Sequence, residues 1–204
     1  MNLKGLILVA GAGTRLRPLT YTSAKQLVPV ANKPVLFYGI EAMRDSGIED
    51  VAIIVSPGQS GQEIRARTGD GSRFGVRITY VEQHEPLGLA HAVLTAEEHI
   101  AGSPFVVYLG DNLLRDGITE MVEEFKRSEP DALILLTHVP NPQSFGVAEL
   151  EGERVVRLDE KPAEPKSDLA LVGVYMFQPA IFEACRARSE GSANGSVRQM
   201  CGPI

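Results

Sequence analysis

Two glycines and three cations stand close together near the start of the chain, in the segment GAGTRLRPLTYTSAK. The glycines are Gly11 and Gly13, which are followed by Thr14 and by the first cation, Arg15. Glycines let backbone N–H groups approach a phosphate closely, and oriented N–H groups together with cations offset its negative charge. The apolar residues 6–10 precede this loop, as expected of a buried strand. The segment therefore predicts an anion site at a strand end, with a polyphosphate as its ligand.

Two better-known glycine motifs do not fit this loop. A dinucleotide-binding Rossmann motif requires a third glycine at the start of a helix, but Leu16 stands there and Pro18 follows closely. A P-loop ends in Gly-Lys-Ser/Thr, whereas this loop continues with Thr14 and Arg15. An ordinary turn with surface arginines is the remaining alternative. Lys25, in a segment flanked by apolar residues, favours the anion site over that turn.

The wider sequence supplies a resemblance to a known family. GAGTRLRP followed by SAKQLVPVANKPVL resembles the signature of the sugar-phosphate nucleotidyltransferases. The segments VEQHEPLGLAHA, LGDNL, SFGVAEL, DEKPAEPKS and LVGVYMF follow in the order of that family. Together they are similar to the glucose-1-phosphate thymidylyltransferases over about residues 3–184. One departure is Ala10, where the family usually has glycine.

The composition indicates a single α/β domain. The chain has 204 residues, 44% of them hydrophobic, which is enough to bury a sizeable core. Its net charge of −6 argues against a nucleic-acid surface. The two cysteines, Cys185 and Cys201, lack CxxC spacing, so neither a disulfide framework nor a zinc site is predicted. No segment is long enough to span a bilayer, and we expect a cytoplasmic enzyme without membrane or nucleic-acid partners.

Strand and helix patterns alternate along the first two thirds of the chain. Apolar residues at helical spacing predict helices at residues 34–46, 62–67, 88–100 and 118–126. Apolar runs predict strands at residues 51–55, 76–81, 105–109 and 132–139. This alternation predicts a Rossmann-like, mostly parallel sheet with helices on both faces. Ligands of such sheets bind at the carboxyl ends of strands, where the glycine-rich loop and Asp111 are both expected.

The pattern changes at about residue 145, where a hairpin or a short paired extension is predicted, with a turn at residues 151–153. A strand at residues 171–177 and a helix at 179–187 follow. We assign residues 1–188 to one nucleotidyltransferase domain, in which about residues 1–140 form the nucleotide half and about 141–188 the sugar-binding part. Residues 189–204 are rich in Ser and Gly, and we expect a disordered tail there.

The resemblance implies roles for the residues of the opening motif. Arg15 and Lys25 match the two cations that bridge the triphosphate in the family. Arg15 would meet the β- and γ-phosphates, and Lys25 the α-phosphate and the incoming sugar phosphate. The nucleotide-binding loop itself would consist of Gly11, Gly13 and Thr14.

The segment VEQHEPLGLA matches the part of the family that reads a pyrimidine base. Gln83 corresponds to the base-reading amide, which can both donate and accept hydrogen bonds as the edge of thymine or uracil requires. Gly88 leaves room for close approach of the backbone. Without the resemblance, Gln83 would be an ordinary loop residue.

The resemblance also implies a magnesium site at Asp111, which follows a predicted strand in LGDN. A single carboxylate suffices for a partial site, because Mg²⁺ keeps water molecules and takes phosphate oxygens as ligands. An aspartate in a tight turn is the alternative. Four histidines show no metal-ligand spacing, and we interpret them as structural or surface residues: His84, His91, His99 and His138.

Five residues correspond to the sugar-binding side of the family: Asn112, Gly146, Glu160, Lys161 and Val172. Glu160 can accept hydrogen bonds from two sugar hydroxyl groups, and Lys161 can meet the sugar phosphate. Gly146 and Val172 would act through backbone atoms, and Asn112 would touch sugar hydroxyl groups. A solvated charged turn is the alternative for residues 159–161.

The function that the resemblance implies is transfer of a nucleotidyl group from dTTP to glucose 1-phosphate. Such transfer needs no strong base, because the attacking phosphate oxygen is already ionised near neutral pH. Two alternatives stay open. One is a UTP- or other NTP-dependent transferase, since Gln83 alone does not detect the thymine methyl group.

The second alternative is a truncated, non-catalytic module that binds nucleotide. After the helix at 179–187 the family normally supplies a second metal-binding aspartate and an arginine for the sugar phosphate. The final segment, SEGSANGSVRQMCGPI, matches neither, so we expect the C-terminal part of the domain to be incomplete. Contacts for a possible homo-oligomer would be among the missing elements.

Overall fold

The computed structural model describes residues 1–9, 24–85, 87–100 and 102–191, with side chains described up to residue 187. The glycine-rich loop, including Gly11, Gly13, Thr14 and Arg15, therefore lies outside the described residues. Residues 192–204 of the expected tail lie outside them as well.

The described elements include those predicted from the sequence, in the predicted order, together with two short strands, Pro29–Val30 and Lys33–Pro34, that were not predicted. They are β1 (Lys4–Leu8), β2 (Pro29–Val30), β3 (Lys33–Pro34), α1 (Val35–Asp45), β4 (Asp50–Val55), α2 (Gln59–Thr68), β5 (Arg77–Glu82), α3 (Leu89–Thr95), α4 (Glu97–Ile100), β6 (Phe105–Leu109), α5 (Thr119–Ser128), β7 (Ala132–His138), β8 (Gly146–Glu151), β9 (Arg154–Glu160), β10 (Leu169–Phe177) and α6 (Ile181–Gly191). Single 3-10 turns at Lys25–Leu27, Ser72–Phe74 and Pro142–Ser144 complete the described elements.

Strand β1 lies at the centre of a parallel half-sheet in the order β5, β4, β1, β6. Leu6 on β1 is in register with Ala52 on β4 and with Val107 on β6. All three side chains are buried, because helices cover both faces of a parallel sheet. Burial on both faces explains why these strands are continuous apolar runs in the sequence. The predicted parallel sheet is confirmed for this half.

The other half of the sheet is antiparallel and is built around β10. Strand β10 pairs with β6 through Val174 and Tyr108, and it also pairs with β7 and β8. The chain leaves β6 through α5 and returns as β7 in the same direction, but β10 lies between the two strands and runs opposite to both. The predicted hairpin at residue 145 and beyond is β8 and β9. The sequence predicted β7 and β10 as strands without predicting that β10 runs antiparallel to its neighbours.

Two apolar layers enclose the sheet, as predicted. One layer contains buried residues of α1, α2 and α5, among them Ile40, Ile64 and Phe125. The opposite layer contains residues of α3, α4 and α6, among them Val93 and Phe182. Among the described residues, no helix has the length and apolar character needed to cross a membrane.

Several helix boundaries differ from the prediction by one to four residues, and two differences change the description of the fold. The single helix expected at residues 88–100 is the pair α3 and α4, which are separated at Ala96. The backbone N–H of Ala96 donates to both Ala92 and Val93, and that of His99 donates three residues back to Ala96, so the hydrogen bonding tightens there. Helix α6 continues to Gly191, which is beyond the domain end expected at residue 188.

Candidate active site

The carboxyl ends of the parallel strands are joined by backbone hydrogen bonds at one edge of the sheet. The N–H of Val9 donates to Ile54 at 3.0 Å, and that of Gln83 donates to Val55 at 2.9 Å. Across β1, the N–H of Gly110 donates to Leu8 at 2.9 Å. The predicted base-reading residue, Gln83, and the predicted metal-binding turn after β6 are therefore held at the same edge.

Lys25 and Asp111 form an ion pair at this edge, although 86 residues separate them in the sequence. The Nζ atom of Lys25 lies 2.5 Å from Oδ2 of Asp111, and the two side chains are 22% and 41% exposed. Lys25 begins the short 3-10 turn before β2, whereas Asp111 follows the end of β6. The structure thus brings together the predicted phosphate-binding cation and the predicted metal ligand.

The turn that carries Asp111 is seated tightly on the sheet because position 110 is glycine. A methyl group on Gly110 would lie 2.7 Å from Cγ1 of Val9 and 3.1 Å from the carbonyl oxygen of Leu8. Below the turn, the fully buried Tyr108 donates to the carbonyl oxygen of Asn112 at 3.3 Å. Burial raises the pKa of Tyr108 to about 12, so this hydroxyl keeps its proton at neutral pH.

Asn112 connects the two halves of the sheet. Its Nδ2 atom donates to the carbonyl oxygen of Val172 on β10 at 2.5 Å. The next residue, Gly173, has a positive φ of 82°, and a methyl group there would lie 2.5 Å from Cδ1 of Leu109. The backbone of β10 therefore approaches the Asp111 turn closely. The resemblance assigns the backbone of Val172 to the sugar, and its carbonyl oxygen accepts a hydrogen bond from Asn112.

Gln83 is held by a neighbour on α3. It is only 5% exposed, and its Nε2 atom lies 2.8 Å from Nδ1 of His91. Gly88, with φ of 98°, directly precedes α3 and leads the chain from Gln83 into that helix. Gly88 thus precedes the helix whose His91 contacts Gln83. His91 was interpreted from the sequence as a structural or surface residue.

The predicted sugar-binding residues meet where the hairpin of β8 and β9 opens. Gly146 at the start of β8 is in register with Glu160 at the end of β9. A methyl group on Gly146 would lie 3.2 Å from Oε2 of Glu160, so glycine gives that carboxylate its space. Lys161 places Nζ 3.5 Å from Oε1 of Glu160, and its backbone N–H donates to Phe145 at 3.0 Å.

These sugar-side groups also face β10. A methyl group on Gly146 would lie 3.4 Å from Cδ1 of Leu171, the residue before Val172. The side chains of Glu160 and Lys161 are 52% and 49% exposed, so both can reach a ligand from solvent. Four of the five predicted sugar-side residues are thus grouped at the open end of the β8 and β9 hairpin and on β10. Asn112 is linked to them through Val172.

Gln26 is a polar residue of this region that sequence reasoning missed. It is 1% exposed, and neither its Oε1 nor its Nε2 atom has a hydrogen-bond partner among the described residues. A buried amide without partners is costly, and such groups are usually satisfied by something in the native state. The signal in the sequence was a glutamine inside the otherwise apolar segment QLVPV, next to Lys25.

Comparison with known proteins supplies the family. The profile described as nucleotidyl transferase matches residues 4–200. This chain belongs to the nucleotidyl transferase family. The resemblance seen in the sequence motifs is confirmed.

The relatives with high identity carry a more specific name. Glucose-1-phosphate thymidylyltransferase of Streptomyces griseus is 58% identical over 186 residues, which cover 91% of this chain and 52% of that protein. The protein of the same name from Streptomyces antibioticus is 59% identical over 187 residues, which cover 91% of this chain and 52% of that one. The chain therefore spans about half the length of the curated relatives that it matches.

A solved structure confirms the fold. A Bacillus anthracis protein, described as a glucose-1-phosphate thymidylyltransferase in complex with a sucrose, superposes with a TM-score of 0.85. The two chains are 35% identical, and the match covers 89% of this chain and 73% of that one. The mixed sheet with helices on both faces is thus the nucleotidyltransferase fold.

Proposed function

We propose that this chain carries out the transfer of a thymidylyl group from dTTP to glucose 1-phosphate, giving dTDP-glucose and pyrophosphate. The observation that carries the proposal is the ion pair of Lys25 with Asp111 at the strand-end edge that also carries Gln83, with Glu160 on the hairpin of the other half of the sheet. A cation, a hard-metal ligand, a base-reading amide and a hydroxyl-binding carboxylate are the groups that the reaction needs. The names of the relatives support the choice of substrates.

In the proposed reaction, a phosphate oxygen of glucose 1-phosphate attacks the α-phosphorus of dTTP. The new P–O bond forms as the bond from the α-phosphorus to the pyrophosphate oxygen breaks, and no proton has to be removed first. Lys25 offsets the negative charge of the two phosphates that approach each other. Lys25 is paired with Asp111, so it already lies at the strand-end edge where phosphate would bind.

The residues present suit a bound Mg²⁺ ion in part. Among the described residues, no group of three or more His, Cys, Asp or Glu side chains could enclose a metal. Asp111 nevertheless offers one hard oxygen donor that is accessible at the strand end, and Mg²⁺ commonly combines one or two carboxylates with water and phosphate oxygens. When bound there, the ion would neutralise charge on the triphosphate. Asp111 would hold it.

Gln83 would orient the base, and the residues at the β8 and β9 hairpin would orient the sugar. Gln83 presents its buried amide to the pyrimidine edge, which matches thymine and uracil alike. UTP is for this reason the second candidate nucleotide. Glu160 and the backbone near Gly146 would hold sugar hydroxyl groups, and Lys161 would hold the sugar phosphate. Arg15, outside the described residues, stays a predicted contact of the β- and γ-phosphates.

The location in the cytoplasm is also part of the proposal. It rests on the low cysteine content, two residues in 204 without a CxxC pair, which suits a reducing compartment.

The proposal is tested by pyrophosphate release. The purified chain is incubated with Mg²⁺, glucose 1-phosphate and, in turn, dTTP, UTP, CTP or ATP, and calorimetric binding of each nucleotide is measured in parallel. The full-length Streptomyces griseus relative serves as positive control. We expect pyrophosphate release with dTTP. The rate with UTP should be closer to the rate with dTTP than the rates with CTP and ATP are. Nucleotide binding without any release would instead support the non-catalytic module.

A further inference from the structure

The amide of Gln83 has a defined orientation because of one contact. Its Nε2 atom, not its Oε1 atom, lies 2.8 Å from Nδ1 of His91. An amide NH₂ group donates hydrogen bonds and cannot accept them, so Nδ1 is the acceptor and the imidazole proton resides on Nε2. The backbone hydrogen bond of Gln83 to Val55 fixes the chain but leaves the amide free to turn. His91 is thus the side-chain contact that the structure provides for its orientation.

This orientation matters for the base that the amide would read. With one Nε2 hydrogen on His91, the amide keeps an acceptor, Oε1, and a second N–H donor for a ligand. Thymine and uracil present a donor at N3 and an acceptor at O4, which complement that pair. Cytosine presents an acceptor at N3 and an amino donor at C4, which is the opposite pattern. Cytosine would therefore fit only if the amide turned by half a rotation.

We infer that His91 is a positioning residue that prevents this turn and makes the base pocket select thymine and uracil over cytosine. The inference rests on the proposed function, because it takes Gln83 as the base-reading residue. A turned amide would place Oε1 against the Nδ1 lone pair of His91, which is repulsive unless the imidazole moves its proton. Gln26 shows the contrast, since its buried amide has no described partner that fixes either orientation.

The fold makes His91 suitable for this task. It lies in the first turns of α3 (Leu89–Thr95), whose Ala90, Ala92 and Val93 are buried in the apolar layer. The ring is therefore carried by a helix whose position is set by the core and not by the ligand. Thr95 also donates to the His91 carbonyl oxygen at 2.7 Å, which is within the same helix and does not involve the ring.

The test compares equilibrium dissociation constants of dTTP, UTP and CTP for the full 204-residue chain and three variants, measured by calorimetry with Mg²⁺ present. His91→Leu removes the acceptor, and His91→Asn replaces it with an amide that can accept through Oδ1 or, when turned, donate through Nδ2. His99→Leu is the matched control, because His99 is an exposed histidine on α4. Thermal unfolding of each variant shows whether it is folded.

We expect the preference for dTTP over CTP to fall about fivefold in His91→Leu, mainly through tighter CTP binding, since one hydrogen bond of ordinary strength is lost. His99→Leu should keep the parent preference within about twofold, whereas His91→Asn, whose amide can turn together with that of Gln83, should lose part of it. If the parent prefers dTTP and His91→Leu keeps that preference, or weakens all three nucleotides equally, the inference is wrong while the proposed function stands. If the parent binds dTTP no better than CTP, the base assignment of the proposed function fails and the inference fails with it.

Discussion

The parallel and antiparallel halves of the sheet hold their candidate site residues in different ways. In the parallel half, backbone hydrogen bonds join the strand ends, Gln83 is buried against His91, and Lys25 is paired with Asp111. In the antiparallel half, Glu160 and Lys161 project from the open end of the β8 and β9 hairpin and are about half exposed. The described nucleotide-side residues are therefore held by protein contacts more closely than the side chains of Glu160 and Lys161 are.

This difference has an energetic consequence for binding. Ordering an exposed, rotamer-rich side chain on binding costs roughly 0.5–1.5 kcal/mol, and a side chain already held by protein contacts avoids most of that cost. The nucleotide should thus bind on its own, whereas the sugar phosphate should bind more weakly and gain from contacts with a bound nucleotide. Loss of a nucleotide-side group should affect both steps, and loss of a sugar-side group only the second.

The largest expected effect is that of Lys25→Ala on turnover. Removing one preorganised charge from a transition-state site lowers the rate by about 10² to 10³. Lys33→Ala is the matched control, because Lys33 is also a partly buried lysine in an ion pair, with Glu41, but lies on the β2 and β3 hairpin. Pyrophosphate release is the measurement. Turnover of Lys25→Ala within a few-fold of the parent would show that Lys25 does not contact the reacting phosphates.

Gly173→Ala tests the junction between the two halves. The methyl group would meet Leu109 at 2.5 Å and Asn112 at 3.1 Å, in a backbone conformation with φ of 82°. Overpacking and the left-handed conformation together should lower the free energy of unfolding by about 2–4 kcal/mol. Gly152→Ala has a similar φ of 63° with nothing within 4 Å, and should cost only about 1–2 kcal/mol. Equal urea midpoints for the two variants would contradict the tight junction.

Asp111→Asn should raise the Mg²⁺ concentration needed for half-maximal activity or nucleotide binding. The amide has nearly the same shape but is a poorer ligand for a hard cation. Loss of an outer-sphere partner typically costs about 10- to 100-fold in metal affinity, so loss of a direct ligand should cost at least about tenfold. Asp116→Asn, at an exposed aspartate paired with Arg115, is the control. An unchanged Mg²⁺ titration in folded Asp111→Asn would remove the metal assignment.

Glu160→Gln should have the smallest effect, and only on the sugar side. A hydrogen bond to a charged group contributes about 1.5–3 kcal/mol at most when fully formed, and half exposure reduces this, so we expect KM for glucose 1-phosphate to rise about tenfold. The KM for dTTP should stay the same. Glu153→Gln in the turn between β8 and β9 is the control. A rise in KM for dTTP instead would place Glu160 on the nucleotide.

Structural features that depend on local sequence patterns were predicted well from the sequence. The apolar runs of β4 and β6 marked strands buried on both faces almost to the residue. The strand-end rule placed Asp111 and the opening motif at one edge, and the contact between Asp111 and Lys25 agrees with it. The direction of β10 was not predictable in this way, because pairing between distant strands decides it.

The candidate site was predicted less completely than the fold. Gln26 has no periodic pattern to mark it, and only its burial without partners shows that it is unusual. The engagement of the Val172 carbonyl by Asn112 is likewise a matter of packing between two strands. His91 was interpreted as a structural or surface residue because the histidines lack metal-ligand spacing. That spacing carries no information about a hydrogen bond to a glutamine. Such contacts join residues that are not local in the sequence, so sequence patterns do not predict them.

The most direct test of the difference between the two halves is calorimetric titration of dTTP, with Mg²⁺ and without sugar phosphate. The parent chain is compared with the double variant Glu160→Gln and Lys161→Gln, which removes both sugar-side charges. If the parallel half binds the nucleotide by itself, the two dissociation constants should agree within about twofold. Absence of dTTP binding to the parent, or binding to the double variant that is weaker by about tenfold or more, would contradict the division of the site between the two halves.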